Sequence, residues 1–161
     1  MTRFIHTVLL LAKRDVYICY HFSSVFRSKK KLEERFVDQQ MFEKGLAIRR
    51  EVLGKEFVDN AIKSADDFNR PLQELVTQYC WGEIWGRPGL DRKTRSFINL
   101  AMITALNRPH EVKMHIKGAL NNGLTKDDIK EVFLQVAIYC GVPAAVDSFR
   151  IAKEVFQELG I

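Results

Sequence analysis

Residues 81–123 read WGEIWGRPGLDRKTRSFINLAMITALNRPHEVKMHIKGALNNG, and the organisation of the chain follows from this stretch. It sets acids, arginines, two tryptophans and a histidine between strong helix punctuation. Pro109 suits the first turn of a helix, where its missing N–H costs nothing. Glu111 and His115 follow four residues apart, so their side chains share one face and can touch. Gly118 comes three residues further along that face, where the absence of a side chain leaves room for a small ligand. Asn121, Asn122 and Gly123 end the helix, with Gly123 suited to the left-handed residue just past a C-terminus. A carboxylate and an imidazole are therefore expected on one short, bounded rod.

The helical period continues in both directions from that rod. Upstream, Asp91 is placed to cap a helix over 91–106, in which Phe97, Ile98, Leu100, Ala101, Ile103 and Leu106 make nearly the whole surface apolar, as in a central helix. Arg92, Lys93 and Arg95 crowd its first turn, where cations oppose the helix dipole, which points to a functional or interface role for some of them. Before it, Gly86, Arg87, Pro88 and Gly89 break a helix that opens at Asn69 as N-cap, with Pro71 just inside, and runs through Leu72, Leu75, Val76 and Tyr79 towards Trp85. Further back, Phe42, Leu46, Ile48, Val52 and Leu53 trace an apolar stripe with Glu43, Lys44, Arg49 and Arg50 mostly off it. Gly54 stops that helix, and a shorter one covers 56–65.

Downstream, Thr125 and Asp128 make a capping-box-like start for a helix that carries Ile129, Val132, Phe133 and Val136 and reaches Cys140. Gly141 ends it, and Pro143 starts the last helix. No segment alternates like a strand, so the fold class is all-α: a single-domain bundle of about six to seven helices.

At 161 residues and 47% hydrophobic content, the chain is long enough for one domain with a real core. The formal charge of +5 suggests a nucleic-acid partner until it is located: residues 1–40 contribute +4 and the rest only +1. A nearly neutral body weakens the argument for a phosphate-tracking surface, so no nucleic-acid partner is expected. Residues 1–34 have no clean period and read as an N-terminal extension of uncertain structure, leaving 35–161 as the helical domain. Their most apolar run, FIHTVLLLA at 4–12, falls short of the ~20 residues a spanning helix needs and lacks a convincing cleavage site, so no membrane is implied. Cys19, Cys80 and Cys140 are widely separated and form neither a C-x-x-C pair nor a zinc spacing. Each reads as a small buried hydrophobe in a reducing, cytoplasmic setting.

The segments GLAIRREVLG, ELVTQYCWGEIWGRPGLDRKTRS, ALNRPHEVKMHIKGALNNGLT and IKEVFLQVAIYCGVPAA together resemble the carboxymuconolactone decarboxylase family, within the wider alkylhydroperoxidase D-like group. The resemblance covers roughly three quarters of the chain and leaves out the first 35 or so residues. Peroxidase-type members of the group carry a C-x-x-C followed by x-x-x-H. Here His115 stands at the histidine position, while Arg108 and Glu111 stand where the cysteines would be. Without that dithiol, thiol-based peroxide reduction has no nucleophile, and the decarboxylase branch is favoured.

The resemblance implies conversion of a carboxymuconolactone to 3-oxoadipate enol-lactone and carbon dioxide without metal or organic cofactor, in closed homo-oligomeric rings, trimers or hexamers. Such an enzyme must hold a small anionic lactone, stabilise a dienolate oxygen and deliver a proton to carbon. His115 is the expected donor, with Glu111 orienting it and raising its pKa, or with the two roles exchanged. Arg87 and Arg95 are the expected carboxylate ligands, because a guanidinium grips a planar anion at two points. Trp81, Trp85 and Tyr139 are expected to wall the pocket, and Glu83 to serve as a second acid or as a partner for an arginine. His110 reads as a surface residue. Two other readings compete: a helical oligomerisation or binding module without catalysis, and a thiol-dependent hydroperoxide reductase using Cys80 and Cys140.

Overall fold

The computed structural model describes residues 37–161; the N-terminal extension at 1–34, Cys19 among it, lies outside the described residues. Seven α-helices and one π-helix follow one another, with no strand among the described residues. They are α1 (Gln39–Leu53), α2 (Lys55–Lys63), α3 (Arg70–Leu75), the π-helix (Val76–Ile84), α4 (Arg92–Ala105), α5 (Pro109–Asn121), α6 (Lys126–Cys140) and α7 (Val142–Leu159). The all-α expectation and most helix boundaries hold. Asp91 accepts from the Thr94 amide at the start of α4, and Thr125 and Asp128 exchange both bonds of a capping box at the start of α6. Gly54 and Gly123 take the positive φ values, 93° and 87°, that stop α1 and α5.

The apolar residues sort into two cores. Leu100, Val112, Ile116, Ala119, Ile129, Phe133, Ile151 and Val155 bring α4, α5, α6 and α7 together. Ile48, Val52, Leu53, Val58, Trp81 and Trp85 join α1, α2 and the π-helix, and Met114 of α5 packs against them. Helix α5 therefore serves both cores, and His115 sits on it between Met114 and Ile116.

Four local expectations are corrected. The helix read as running from Asn69 towards Trp85 is α-helical only to Leu75 and then widens: the Trp85 amide donates to the Cys80 carbonyl, five residues back, at 2.9 Å. Asn69 stands before Pro71 as expected, but its side chain accepts from the Asp66 amide and caps nothing. Helix α4 is not apolar all round in its packing, since it buries Ser96, Leu100 and Thr104 and leaves Ile98 and Met102 exposed. Cys80 and Cys140 are exposed, not core residues.

Glycine decides how closely α1 and the π-helix meet. A Cβ on Gly45 would stand 1.9 Å from the Thr77 carbonyl oxygen and 2.7 Å from the Gly82 nitrogen, and one on Gly82 would stand 2.5 Å from the Met41 carbonyl oxygen. Backbone touches backbone there, and no larger residue fits. Gly118 works in the same way between α5 and α1, where a Cβ would meet Val52 Cγ1 at 3.1 Å and Leu53 Cδ2 at 3.3 Å. Its missing side chain admits a neighbouring helix, not the ligand expected from sequence.

Candidate active site

The π-helix carries Trp81, and Trp85, four residues on, caps its C-terminal end; the two rings lie together and α5 presents His115 to them. The two indoles lie 4.9 Å apart between centroids and tilted by 30°. The imidazole lies nearly parallel to both, 6.2 Å from Trp81 at 13° and 6.5 Å from Trp85 at 18°. Trp81 and Trp85 are buried members of the second core, so this wall is rigid.

Burial controls the histidine. Desolvation lowers the His115 pKa from 6.5 to about 4, while the negative charge of Glu111, one turn earlier, acts in the opposite direction. The sequence expectation that Glu111 raises it is right in sign, but burial outweighs the carboxylate. At neutral pH the free chain therefore holds a neutral imidazole.

The loop after the π-helix gathers the other candidates. Arg87 is exposed and donates to Glu83 at 3.0 Å, so Glu83 is a partner for an arginine in this structure. Arg95, half-buried at the start of α4, donates from Nη2 to the Arg87 carbonyl at 3.2 Å, and its buried Nε has no partner. Tyr139 is not brought to the ring cluster: it lies at the C-terminal end of α6 and is 78% exposed. His110 is exposed as expected, and lines a groove of about 250 Å³ with Leu53, Phe57, Lys113, Met114 and Lys117. Sequence reading missed this groove, since its floor comes from three separate helices.

Sequence reading also missed Arg49. It was placed off the apolar stripe of α1, yet it is only 7% exposed, pressed against α3 and the π-helix. The one available signal was its four-residue spacing from Gly45, whose contact with the π-helix is not visible in sequence. Among the described residues no group of three or more His, Cys, Asp or Glu is placed to hold a metal, and no helix is long and apolar enough to cross a membrane.

The bundle thus holds a desolvated imidazole beside two tilted indoles, with a carboxylate one turn away, a set of groups able to exchange a proton. The family model for the carboxymuconolactone decarboxylase family matches residues 70–154, which span α3 to most of α7. The chain is 43% identical over 124 residues to a 4-carboxymuconolactone decarboxylase of Acinetobacter baylyi, covering 77% of this chain and 92% of that protein. It is 40% identical over 121 residues to a nitrosuccinic acid decarboxylase of Metarhizium robertsii, covering 75% of this chain and 85% of that one. A shorter match, 35% over 46 residues, reaches a 4-carboxymuconolactone decarboxylase of Pseudomonas putida and covers 29% of this chain and 96% of that sequence. The chain belongs to the carboxymuconolactone decarboxylase family.

Proposed function

We propose that the chain is a carboxy-lyase that converts 4-carboxymuconolactone to 3-oxoadipate enol-lactone in protocatechuate breakdown by the β-ketoadipate pathway, in the cytoplasm. The observation that carries this reading is the desolvated His115 against Trp81 and Trp85, in a chain 43% identical to a 4-carboxymuconolactone decarboxylase over 92% of that protein.

The chemistry sets the roles. The carboxylate leaves as carbon dioxide, and the electrons of the broken carbon–carbon bond pass through the ring double bond into the lactone carbonyl. One proton is then taken up at carbon. The substrate is its own electron sink, so the reaction calls for no metal or organic cofactor. His115 delivers the proton. It is neutral in the empty chain above pH about 4, and a bound anion beside it, added to Glu111, draws a proton onto it. Desolvation strengthens that attraction, because charges interact more strongly away from water. Arg95 and, from the loop, Arg87 hold carboxylate, while the two indoles exclude water from one side.

The thiol-dependent reading has little support. Although Cys80 is an exposed residue, partial desolvation of its thiol against the bundle pushes it above its ordinary pKa, against the pull of Arg49, which disfavours the reactive thiolate. The nitrosuccinic acid decarboxylase favours a neighbouring substrate: a carboxylate beside a nitro group also leaves its electrons on a built-in sink.

Residues 35–161 form the catalytic domain in this reading, and residues 1–34 are dispensable for turnover. The exposed Ile98, Met102 and Leu106 around α4, with Ile138, Val142 and Val146 on α6 and α7, support a homo-oligomer, a trimer or hexamer, that covers them.

An ultraviolet assay of lactone consumption, run beside nitrosuccinate, tests the reading. Carbon dioxide release from 4-carboxymuconolactone at the higher kcat/KM is the expected result. Release from nitrosuccinate alone would move the assignment to the second substrate, and release from neither would end it.

A further inference from the structure

Arg49 is a buried cation with no carboxylate beside it among the described residues. Its partners are neutral: Gln73 Oε1 at 2.9 Å and Thr77 Oγ1 at 3.0 Å. Both accept from the same nitrogen, Nη1. Nε is buried and unpartnered, and Nη2 makes no hydrogen bond among the described residues. The edge formed by Nε and Nη2 is one of the two edges on which a guanidinium grips a carboxylate bidentately. It is the edge to which no described residue offers an acceptor.

Desolvation of this group is costly unless an anion compensates it. Burial pushes the Arg49 pKa below the usual arginine value, and among the described residues the opposing influence is Cys80. Apolar packing would have met the needs of the core at this position without that cost. Gly45, one turn before, lies on the Thr77 carbonyl and the Gly82 nitrogen, and Val52, one turn after, lies on Gly118. Arg49 thus occupies the stripe of α1 that runs from the π-helix to α5, the two elements that carry Trp81 and His115.

The proposed reaction leaves a charge to be held. Both substrates named for the relatives are dicarboxylic acids, so one carboxylate departs while the other stays. A cation on the departing group would stabilise the charge that must flow out of it, so Arg95, Arg87 and any further arginine all belong on the retained carboxylate, which offers about four acceptor sites. The retained group has the opposite requirement.

We propose that Arg49 is a substrate-binding residue, whose Nε and Nη2 edge receives the carboxylate retained through decarboxylation. The proposal rests on the decarboxylase reading for the identity of the ligand, and on the unpartnered edge of the guanidinium for its place. Selection of diacids over their half-amides follows from it, because the half-amide leaves the cation uncompensated.

Calorimetric binding of glutarate, an unreactive dicarboxylate, and of glutaramate, its monoamide, to the full chain tests this without turnover. Wild type should bind glutarate about 10- to 100-fold more tightly, the range for a hydrogen-bonded charge. Arg49→Met should remove that preference and raise KM for the lactone, and it also leaves Gln73 Oε1 and buried Thr77 Oγ1 without their donor, so the preference and not Tm is the deciding reading. Arg49→Lys keeps a charge but not the two-point edge, and should lose most of the preference. A purely structural Arg49 would leave the preference intact in Arg49→Met, whatever the change in Tm. Wild type without preference, or Arg49→Lys with wild-type preference, overturns the proposal even if Arg49→Met does not fold. Normal lactone turnover with an unchanged KM in Arg49→Met would overturn it while sparing the decarboxylase reading. An Arg49-dependent preference in a chain that decarboxylates nothing would do the reverse.

Discussion

The imidazole of His115 lies 13° from parallel to the indole of Trp81, at 6.2 Å between centroids, although the two come from different helices and different parts of the sequence. The buried indole gives the ring a flat apolar neighbour, and the desolvation of this position lowers the proton affinity of the group.

The first consequence concerns acid stability. Between pH 6.5 and about 4 the unfolded chain holds a proton on His115 and the folded chain does not, so lowering the pH across this window favours unfolding. Below about 4 both states hold it and the slope ends. The full drop amounts to about 3 kcal/mol, lost as pH falls. Urea denaturation of wild type and His115→Gln from pH 7 to 4.5 should show a shallower acid loss in the variant. Parallel curves would mean that His115 titrates normally.

Catalysis should follow the same group. His115→Ala is expected to lower kcat by about 10²- to 10⁴-fold, the range for a positioned proton donor, with a smaller effect on substrate binding. Glu111→Gln removes the charge that raises the His115 pKa, so that pKa falls further and the descending limb of the kcat profile moves to lower pH. Steady-state kinetics across pH with both variants tests this pair of roles. Nearly full turnover in His115→Ala would leave Glu111 as the acid.

Much of this arrangement is legible in sequence because it depends on local chemistry. Asp91 and Thr125 with Asp128 satisfy backbone groups within a few residues, Pro109 brings no first-turn N–H to satisfy and Gly123 takes the positive φ past a C-terminus, so their positions announce helix ends. The Glu111 and His115 pair follows from helical spacing alone. The π-helix does not, because local preference favours continuing the α-helix and the wider turn is accommodated by contact with α1 through Gly45 and Gly82. The burial of Arg49 is hidden for a related reason: sequence places it off the apolar stripe of α1, and only the approach of α3 and the π-helix buries it. The low pKa of His115 was also out of reach, since a sequence shows Glu111 nearby but not how much water the fold removes.

Two glycines should differ sharply in their tolerance of alanine. Gly45→Ala forces a Cβ to within 1.9 Å of the Thr77 carbonyl oxygen, and backbone on both sides cannot yield without moving α1 off the π-helix. A loss of about 1–3 kcal/mol or more is expected, together with displacement of Trp81. Gly118→Ala meets the side chains of Val52 and Leu53 at 3.1 Å and 3.3 Å and reaches backbone, the Val52 carbonyl oxygen, only at an ordinary 3.4 Å, and it gains about 1 kcal/mol of helix propensity, so it should be close to neutral. Chemical denaturation with tryptophan fluorescence reads both effects. Equal losses in the two variants would contradict the backbone contact.

The arginines of the loop should separate in the same way by their surroundings. Arg87 is exposed and paired with Glu83 at 3.0 Å, so Arg87→Ala should change stability by less than about 1 kcal/mol. Arg95 is half-buried, pins the Arg87 carbonyl through Nη2 and keeps a buried Nε without a partner, which suits it to meet an anion. Lysine in its place cannot hold a carbonyl and a carboxylate in one plane. If Arg95 holds carboxylate equally in the ground and transition states, Arg95→Lys raises KM and leaves kcat nearly unchanged. Steady-state kinetics with the lactone distinguishes the cases. A fall in kcat at constant KM would show instead that Arg95 acts on charge that develops only during the reaction, the place of a dienolate oxygen and not of a resting carboxylate.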